Sequence, residues 1–332
     1  MSNIPLNMHL SDDVGHDGIA EEPIRKGFGR GLKKAGEQDD RIVALCADLT
    51  DSTQMSAFRD AFPARFVEVG IAEQNLVTLA AGMAAMGKIP FTSSYAAFSP
   101  GRNWEQIRTT ICLNQRPVKV VGSHAGVSVG PDGATHQMLE DIALMRVLPG
   151  MVVIAPADSV EAEKATLATA FNDTPTYLRL AREASPVFTT EHTPFEIGKA
   201  YVLRAGTDIT ICATGTMTYQ ALLAAKTLAD DGISAEVVHV PTIKPLDTET
   251  IATSARKTGL VITAEEAQAA GGFGSAVCEA LSELCPVPVR RIGMKDRFGE
   301  SGTPQELLKQ FGLTGVQIAL VAHDLLDNVK PK

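Results

Sequence analysis

Apolar and polar positions alternate along this chain in two different periods. Short apolar runs stand at Ile42–Cys46, Phe66–Val69, Ile89–Thr92, Val118–Val121, Val152–Ala155 and Thr176–Leu180. Between them lie stretches with helical spacing: residues 24–35, Glu73–Met86, Trp104–Asn114, Gln137–Arg146 and Val160–Phe171. Strands alternating with helices predict crossover connections and a parallel sheet covered on both faces. Pro, Ser and Thr without periodicity over 183–195 mark a break. The alternation then resumes, with strand runs at Ile209–Ala213, Glu236–Val240, Leu260–Thr263 and Val289–Ile292. Helical stretches follow at Tyr219–Ala229, Thr248–Lys257 and Gly274–Leu284. The expected fold class is α/β, with two parallel-sheet domains. The expected divisions are a flexible tail over 1–20, a first domain over 21–185, a linker over 186–196 and a second domain over 197–332.

Composition narrows the functional classes. The 332 residues suffice for two domains at roughly 150 residues each. With 45% hydrophobic and 21% charged residues the chain is too apolar for disorder. Thirty Lys and Arg against thirty-nine Asp and Glu leave a net charge of −9, which argues against nucleic acid and against a polybasic membrane anchor. No apolar run approaches the ~20 residues of a spanning helix. The polar start lacks the features of a secretion signal. Five scattered cysteines without a Cys-x-x-Cys pair fit thiols in a reducing cytoplasm, not a disulfide frame or a zinc site. The expected location is cytoplasmic.

In open α/β sheets, ligands bind beyond the carboxyl ends of the strands. Three post-strand segments carry candidate chemistry. Glu73 opens a helix whose residues are apolar or small nearly all round, so that helix is expected to be buried. A carboxyl there is stabilised by the helix dipole. If desolvated, its neutral form is favoured and can share a proton with a ligand nitrogen. Tyr95 and Phe98 stand three apart in a chain that is only 5% aromatic, either as core filling or as a slot for a flat heteroaromatic ring. The loop Gly122–Gln137 holds four glycines, His124, Asp132 and His136, a polar set suited to proton transfer or hydroxyl recognition. Its spacing matches no zinc motif, so no metal ligand is expected. Arg25, Ser56, Arg179 and Arg182 could hold an anion or make ordinary surface contacts. Gly271-Gly272-Phe273-Gly274 before a helix is a weak phosphate-turn signal, equally explained by close packing.

Taken together, Gly70-x-x-Glu73 before an Ala-rich helix, the Tyr95/Phe98 pair, the run Asp132-Gly133-Ala134-Thr135-His136-Gln137 and Arg182 resemble the transketolase family. The likeness runs from about Arg25 to the end of the chain. It covers the family's pyrimidine-binding domain and its C-terminal domain, the latter through Glu265-Glu266, Gly271–Val277 and Arg297–Gly302. The size resembles the C-terminal subunit of split members, in which two chains form one enzyme. The resemblance implies thiamine diphosphate with Mg2+, and transfer of a two-carbon ketol unit from a ketose phosphate to an aldose phosphate in pentose phosphate carbohydrate metabolism. It implies that Glu73 hydrogen-bonds the aminopyrimidine and that Tyr95 and Phe98 wall it. It further implies that Arg25, Ser56, His124 and Arg182 grip the sugar phosphate. His124, Asp132 and His136 would contact sugar hydroxyls, and both histidines would join Glu73 in catalysis. Gly101 stands where the family usually has a third aromatic.

The family's Gly-Asp-Gly metal motif is missing from this sequence. The resemblance therefore implies that an N-terminal partner subunit holds the diphosphate and its divalent cation, in an α2β2 heterotetramer. Two related activities stay open at this point: a β subunit of a 2-oxo acid dehydrogenase E1 component, and part of a 1-deoxyxylulose-5-phosphate synthase-like enzyme. The second is favoured by Arg179 alone. A non-catalytic scaffold is the remaining alternative, opposed by the intact Glu73, Asp132 and histidines.

Overall fold

Each of the ten apolar runs becomes a strand paired within a sheet. The computed structural model describes residues 8–329. Its larger sheet runs, edge to edge, Thr242–Lys244, Val152–Ile154, Thr176–Arg179, Lys119–Ser123, Ile89–Tyr95, Ile42–Cys46 and Phe66–Glu68. All neighbours from Val152–Ile154 onward pair in parallel. The smaller sheet runs Val289–Met294, Val261–Gln268, Ile209–Ala213, Ala235–His239 and Tyr201–Arg204, parallel except at the last pair. Central strands such as Ile42–Cys46 and Ile209–Ala213 are buried along their whole length, because helices cover both faces.

Both antiparallel edge strands lacked a sequence signal. Tyr201–Arg204 and Thr242–Lys244 are only four and three residues long. Thr242–Lys244 follows the expected linker in sequence, yet it pairs with Val152–Ile154 at the edge of the first sheet. The second half of the chain thus completes the first half's sheet.

Helix Ile24–Gln38 crosses Ser159–Ala170 closely, with Gly27 and Gly31 facing Ser159 and Thr166. Trp104–Asn114, expected as one α-helix, is a turn of α-helix at Trp104–Gln106 followed by a π-helical segment, Ile107–Cys112. Gln137–Arg146 shortens to Asp141–Arg146. Helices Ser56–Ala61, Pro304–Gln310 and Gly315–Val329 were not anticipated. The second opens with a capping box between Thr303 and Glu306, a readable start signal.

Of the expected tail, residues 1–7 lie outside the described residues. Residues 8–20 pack against the body of the protein. Val14 is buried, Ser11 N donates to the Phe188 carbonyl at 2.8 Å, and Lys226 Nζ donates to the Gly15 carbonyl at 2.7 Å. The linker is tethered as well. Asp158 accepts from the backbone of Phe188 and Thr189, and Phe188 is fully buried. Among the described residues, no helix is long and apolar enough to cross a membrane. All five cysteines are free thiols, three of them buried.

Candidate active site

The strand order places the chemistry. Thr176–Arg179, Lys119–Ser123, Ile89–Tyr95, Ile42–Cys46 and Phe66–Glu68 are consecutive neighbours, and they point the same way. Their carboxyl ends therefore deliver Arg182, His124, Tyr95, Ser52 and Glu73 to one edge of the sheet. Tyr95 and Ser123 are direct register partners.

Glu73 opens helix Glu73–Ala85 and is 2% exposed. It is not the isolated acid that its setting suggested. Arg102 Nη1 lies 2.8 Å from its Oε2. Asn103, fully buried, donates to the Glu73 carbonyl at 2.7 Å and to Ser99 Oγ at 3.2 Å. The Arg102 guanidinium also stands over the Phe98 ring, 4.9 Å from its centroid. Sequence reasoning missed Arg102 because nothing in its local context ties it to a carboxylate 29 positions away.

The aromatic pair and both histidines form one cluster. Tyr95 and Phe98 are near-parallel with centroids 6.0 Å apart. His124 stacks on Tyr95 at 3.8 Å, and His136 meets Phe98 edge-on at 5.5 Å. His124 is buried. Its Nδ1 lies 2.9 Å from Ser123 Oγ and its Nε2 lies 3.4 Å from Ser52 Oγ. Its backbone is left-handed, with φ at 58°, an uncommon geometry for a non-glycine residue that often marks a functional turn. Burial pushes its pKa down to about 3, reinforced by the charges of Arg25, Arg182 and His136. His136 Nδ1 lies 2.9 Å from Thr135 Oγ1.

Arg25, in the first turn of its helix, donates from Nη1 to the Arg182 carbonyl, and Arg182 Nη1 donates to the Val129 carbonyl at 2.7 Å. Burial, then the neighbouring Arg182 charge, lower the pKa of Arg25, and its buried Nε has no hydrogen-bond partner among the described residues. Arg182 Nη1 also lies 3.3 Å from the Glu183 carboxylate, so the spare donor of the pair is Arg25 Nε, of the kind that suits an oxyanion.

Three expected anion contacts are placed differently. Ser56 hydrogen-bonds the Asp51 carboxylate, whereas Ser52 lies 2.7 Å from the Tyr95 hydroxyl and reaches His124. Ser52 sits in the segment after a central strand, the signal that would have found it. Arg179 is spent internally, with Nε 2.8 Å from Asp141 Oδ2 and Nη2 donating to the Glu266 carbonyl at 2.8 Å. At the glycine turn, backbone N–H groups of Phe273 and Gly274 already donate to the buried Glu265 carboxylate at 2.7 Å each. Asp132 is exposed at the end of the 310 segment Val127–Asp132, and no hydrogen bond among the described residues joins it to the cluster.

The second half of the chain braces the histidine loop. Glu266 accepts from Ser128 N at 2.7 Å, and Gln137 donates to the Glu300 carbonyl at 2.9 Å. Gly126, at φ 92°, lies so close to Glu266 that a Cβ would strike its carboxylate. Helix Glu73–Ala85 is not buried all round. Leu76, Val77, Ala80 and Ala84 face the core, while Leu79 and Met86 are exposed, as is neighbouring Ile71 at 75%. Among the described residues, no group of three or more His, Cys, Asp or Glu side chains is placed to hold a metal ion.

A buried carboxylate, a cluster of aromatic rings and two neighbouring arginines gather along one carboxyl edge of a two-domain α/β protein. Residues 6–187 match the transketolase pyrimidine-binding domain and residues 198–318 match the transketolase C-terminal domain. The chain is 45% identical to the 6-deoxy-6-sulfo-D-fructose transketolase subunit SqwH of Clostridium sp. (strain MSTE9), covering 93% of this chain and 96% of that one. It is 40% identical to a subunit of the apulose-4-phosphate transketolase of Phocaeicola vulgatus, covering 87% and 93%. A 1-deoxy-D-xylulose-5-phosphate synthase of Synechococcus sp. (strain JA-2-3B'a(2-13)) is 41% identical over 89% of this chain, which spans only 46% of that enzyme. A solved split-gene transketolase, described as an inactive β4 tetramer, superimposes with a TM-score of 0.87 at 45% identity, covering 93% of this chain and 99% of that one. The chain belongs to the transketolase family, and it is the C-terminal subunit of the split form.

Proposed function

We propose that this chain supplies the pyrimidine end of a thiamine diphosphate site, in a cleft completed by an N-terminal partner subunit, and that the pair transfers a two-carbon ketol unit between sugars bearing a terminal oxyanion. The observation that carries this reading is Glu73, 2% exposed at a helix N-terminus and linked through Arg102 to the Phe98 ring. A buried carboxylate beside an aromatic wall fits a flat, weakly basic ring. Thiamine diphosphate, when bound, supplies the carbon acid that accepts and releases the ketol unit.

Each residue then has a task. Glu73 holds a proton at the pyrimidine nitrogen, and Tyr95 and Phe98 orient the ring. Arg25, Arg182, His124 and Ser52 grip the oxyanion. His124, oriented through Nδ1 by Ser123 and with its pKa pushed down to about 3, is neutral and offers the oxyanion its Nε2, which lies a long 3.4 Å from Ser52 Oγ. His136 has Nδ1 beside Thr135, which leaves Nε2 to carry a proton to or from a sugar hydroxyl. Asp132, on the same loop, selects among hydroxyl configurations. Two relatives are named for a sulfonated and a phosphorylated sugar, and both groups are tetrahedral oxyanions suited to paired guanidiniums.

The partner is inferred from two features. The exposed Ile71, Leu79 and Met86 stand just before, within and just after the helix that begins at Glu73, exposed apolar side chains suited to a protein surface. The diphosphate and its divalent cation are assigned to that partner, in an α2β2 assembly in the cytoplasm. The solved relative described as inactive in β4 form supports the need for a second chain. Residues 21–185 serve as the cofactor-facing unit and 197–332 as its brace, joined by 186–196.

The decisive experiment is reconstitution with an N-terminal transketolase subunit from the same organism, assayed for ketol transfer with phosphorylated and sulfonated sugars. E73A should lower turnover by at least about a hundredfold. Wild-type-like turnover by E73A, or transfer by the partner alone, would overturn the proposal. Carbon dioxide release from pyruvate with an aldose phosphate would instead establish the synthase-like activity. Arg179, the residue that favoured that reading, is committed to Asp141.

A further inference from the structure

We propose that Arg102 is a latch on the pyrimidine seat, paired with Glu73 in the resting subunit and displaced when the ring engages that carboxylate. This rests on the reading of Glu73 given above. Arg102 touches both groups assigned to the ring. Its Nη1 is 2.8 Å from Glu73 Oε2, and its guanidinium carbon is 4.9 Å from the Phe98 centroid. A ring bonded to that carboxylate and stacked on Phe98 competes with Arg102 for the same carboxylate and the same aromatic side chain.

The pair is asymmetric. The Glu73 side chain is 2% exposed, while that of Arg102 is 51% exposed. A buried carboxylate left alone carries a desolvation cost, and the guanidinium offsets it. Displacement costs the arginine little, because half of its side chain is already in solvent and an exposed guanidinium is well hydrated. The backbone need not move. Asn103, the next residue, is anchored to Glu73 and Ser99, so the switch is a side-chain rotation. Arg102 is therefore a positioning residue that maintains Glu73 before the cofactor arrives and competes with it on arrival. The alternative is a permanent brace, which would stay in place and assist binding.

The two roles predict opposite signs. Thiamine diphosphate with Mg2+ is titrated calorimetrically into the reconstituted two-chain complex, comparing wild type, R102Q, R102M, E73Q and E73Q/R102Q. For a latch, R102Q and R102M tighten cofactor Kd by about two- to fivefold. The same changes lower the melting temperature of the isolated chain. The gain in affinity disappears in the E73Q background, because the pair is already broken. Unchanged or weakened binding in R102Q, or in R102M should R102Q fail to fold, overturns the latch. An E73Q complex with wild-type cofactor affinity and turnover overturns the underlying reading of Glu73 instead.

Discussion

Ser52 and His124 face one another across adjacent loops, with Oγ 3.4 Å from Nε2, and the same hydroxyl lies 2.7 Å from the Tyr95 hydroxyl. Two stacked rings thus share one small polar anchor. Ser56, four residues on, turns away to Asp51.

From this follows the first prediction. S52A should raise the KM for the anionic sugar by about three- to tenfold, the worth of one net hydrogen bond. S56A should leave it near wild type. Steady-state kinetics of the reconstituted complex separates the two, and equal effects would contradict the placement of Ser52.

A second prediction concerns acid stability. His124 is held neutral, with a pKa of about 3 against an ordinary 6.5. Between those values the unfolded chain binds a proton that the folded chain refuses. This contribution is therefore fully present above about pH 6.5 and is lost as the pH falls toward 3. Its slope cannot exceed about 1.4 kcal/mol per pH unit. Denaturant unfolding at pH 7 and pH 5 should show a smaller acid loss for H124N than for wild type.

Asp141 gives a third. It is fully buried, accepts from Tyr177 OH at 2.8 Å, and pairs with buried Arg179 at 2.8 Å. D141A strands the arginine charge in the core. Destabilisation of about 3–5 kcal/mol is expected by denaturant titration. If Arg179 served as a free anion ligand, the same change would affect substrate KM more than stability.

Gly27 gives a fourth. A Cβ at this position would overlap the carbonyl oxygen of Ser159 on the crossing helix. G27A should cost about 1–3 kcal/mol or more through overpacking, and it should shift Arg25, two residues earlier. A melting curve matching wild type would show that the two helices can separate freely.

The ten strand runs were legible because central parallel strands, buried on both faces, must be continuously apolar. Glu73, Tyr95, Phe98, His124 and His136 were legible because post-strand segments in such folds carry ligands. Thr242–Lys244 was not, since a three-residue edge strand shows no period. Arg179 and the glycine turn at 271–274 looked available because charge and loop composition do not reveal a partner. Asp141 and Glu265, distant in sequence from the groups they satisfy or close only through a fold of the chain, had already taken them.

By itself the sequence determined the ten apolar strands, the position of most helices between them, the parallel pairing of those strands, and which loops hold acids, rings and histidines. Those properties follow from local periodicity and composition. Only the tertiary structure decided which side chains meet: Ser52 with His124, Arg102 with Glu73, Arg179 with Asp141. Pairing across tens of residues depends on strand order and on which buried charge most needs a counter-charge, and neither is written in the spacing along one chain.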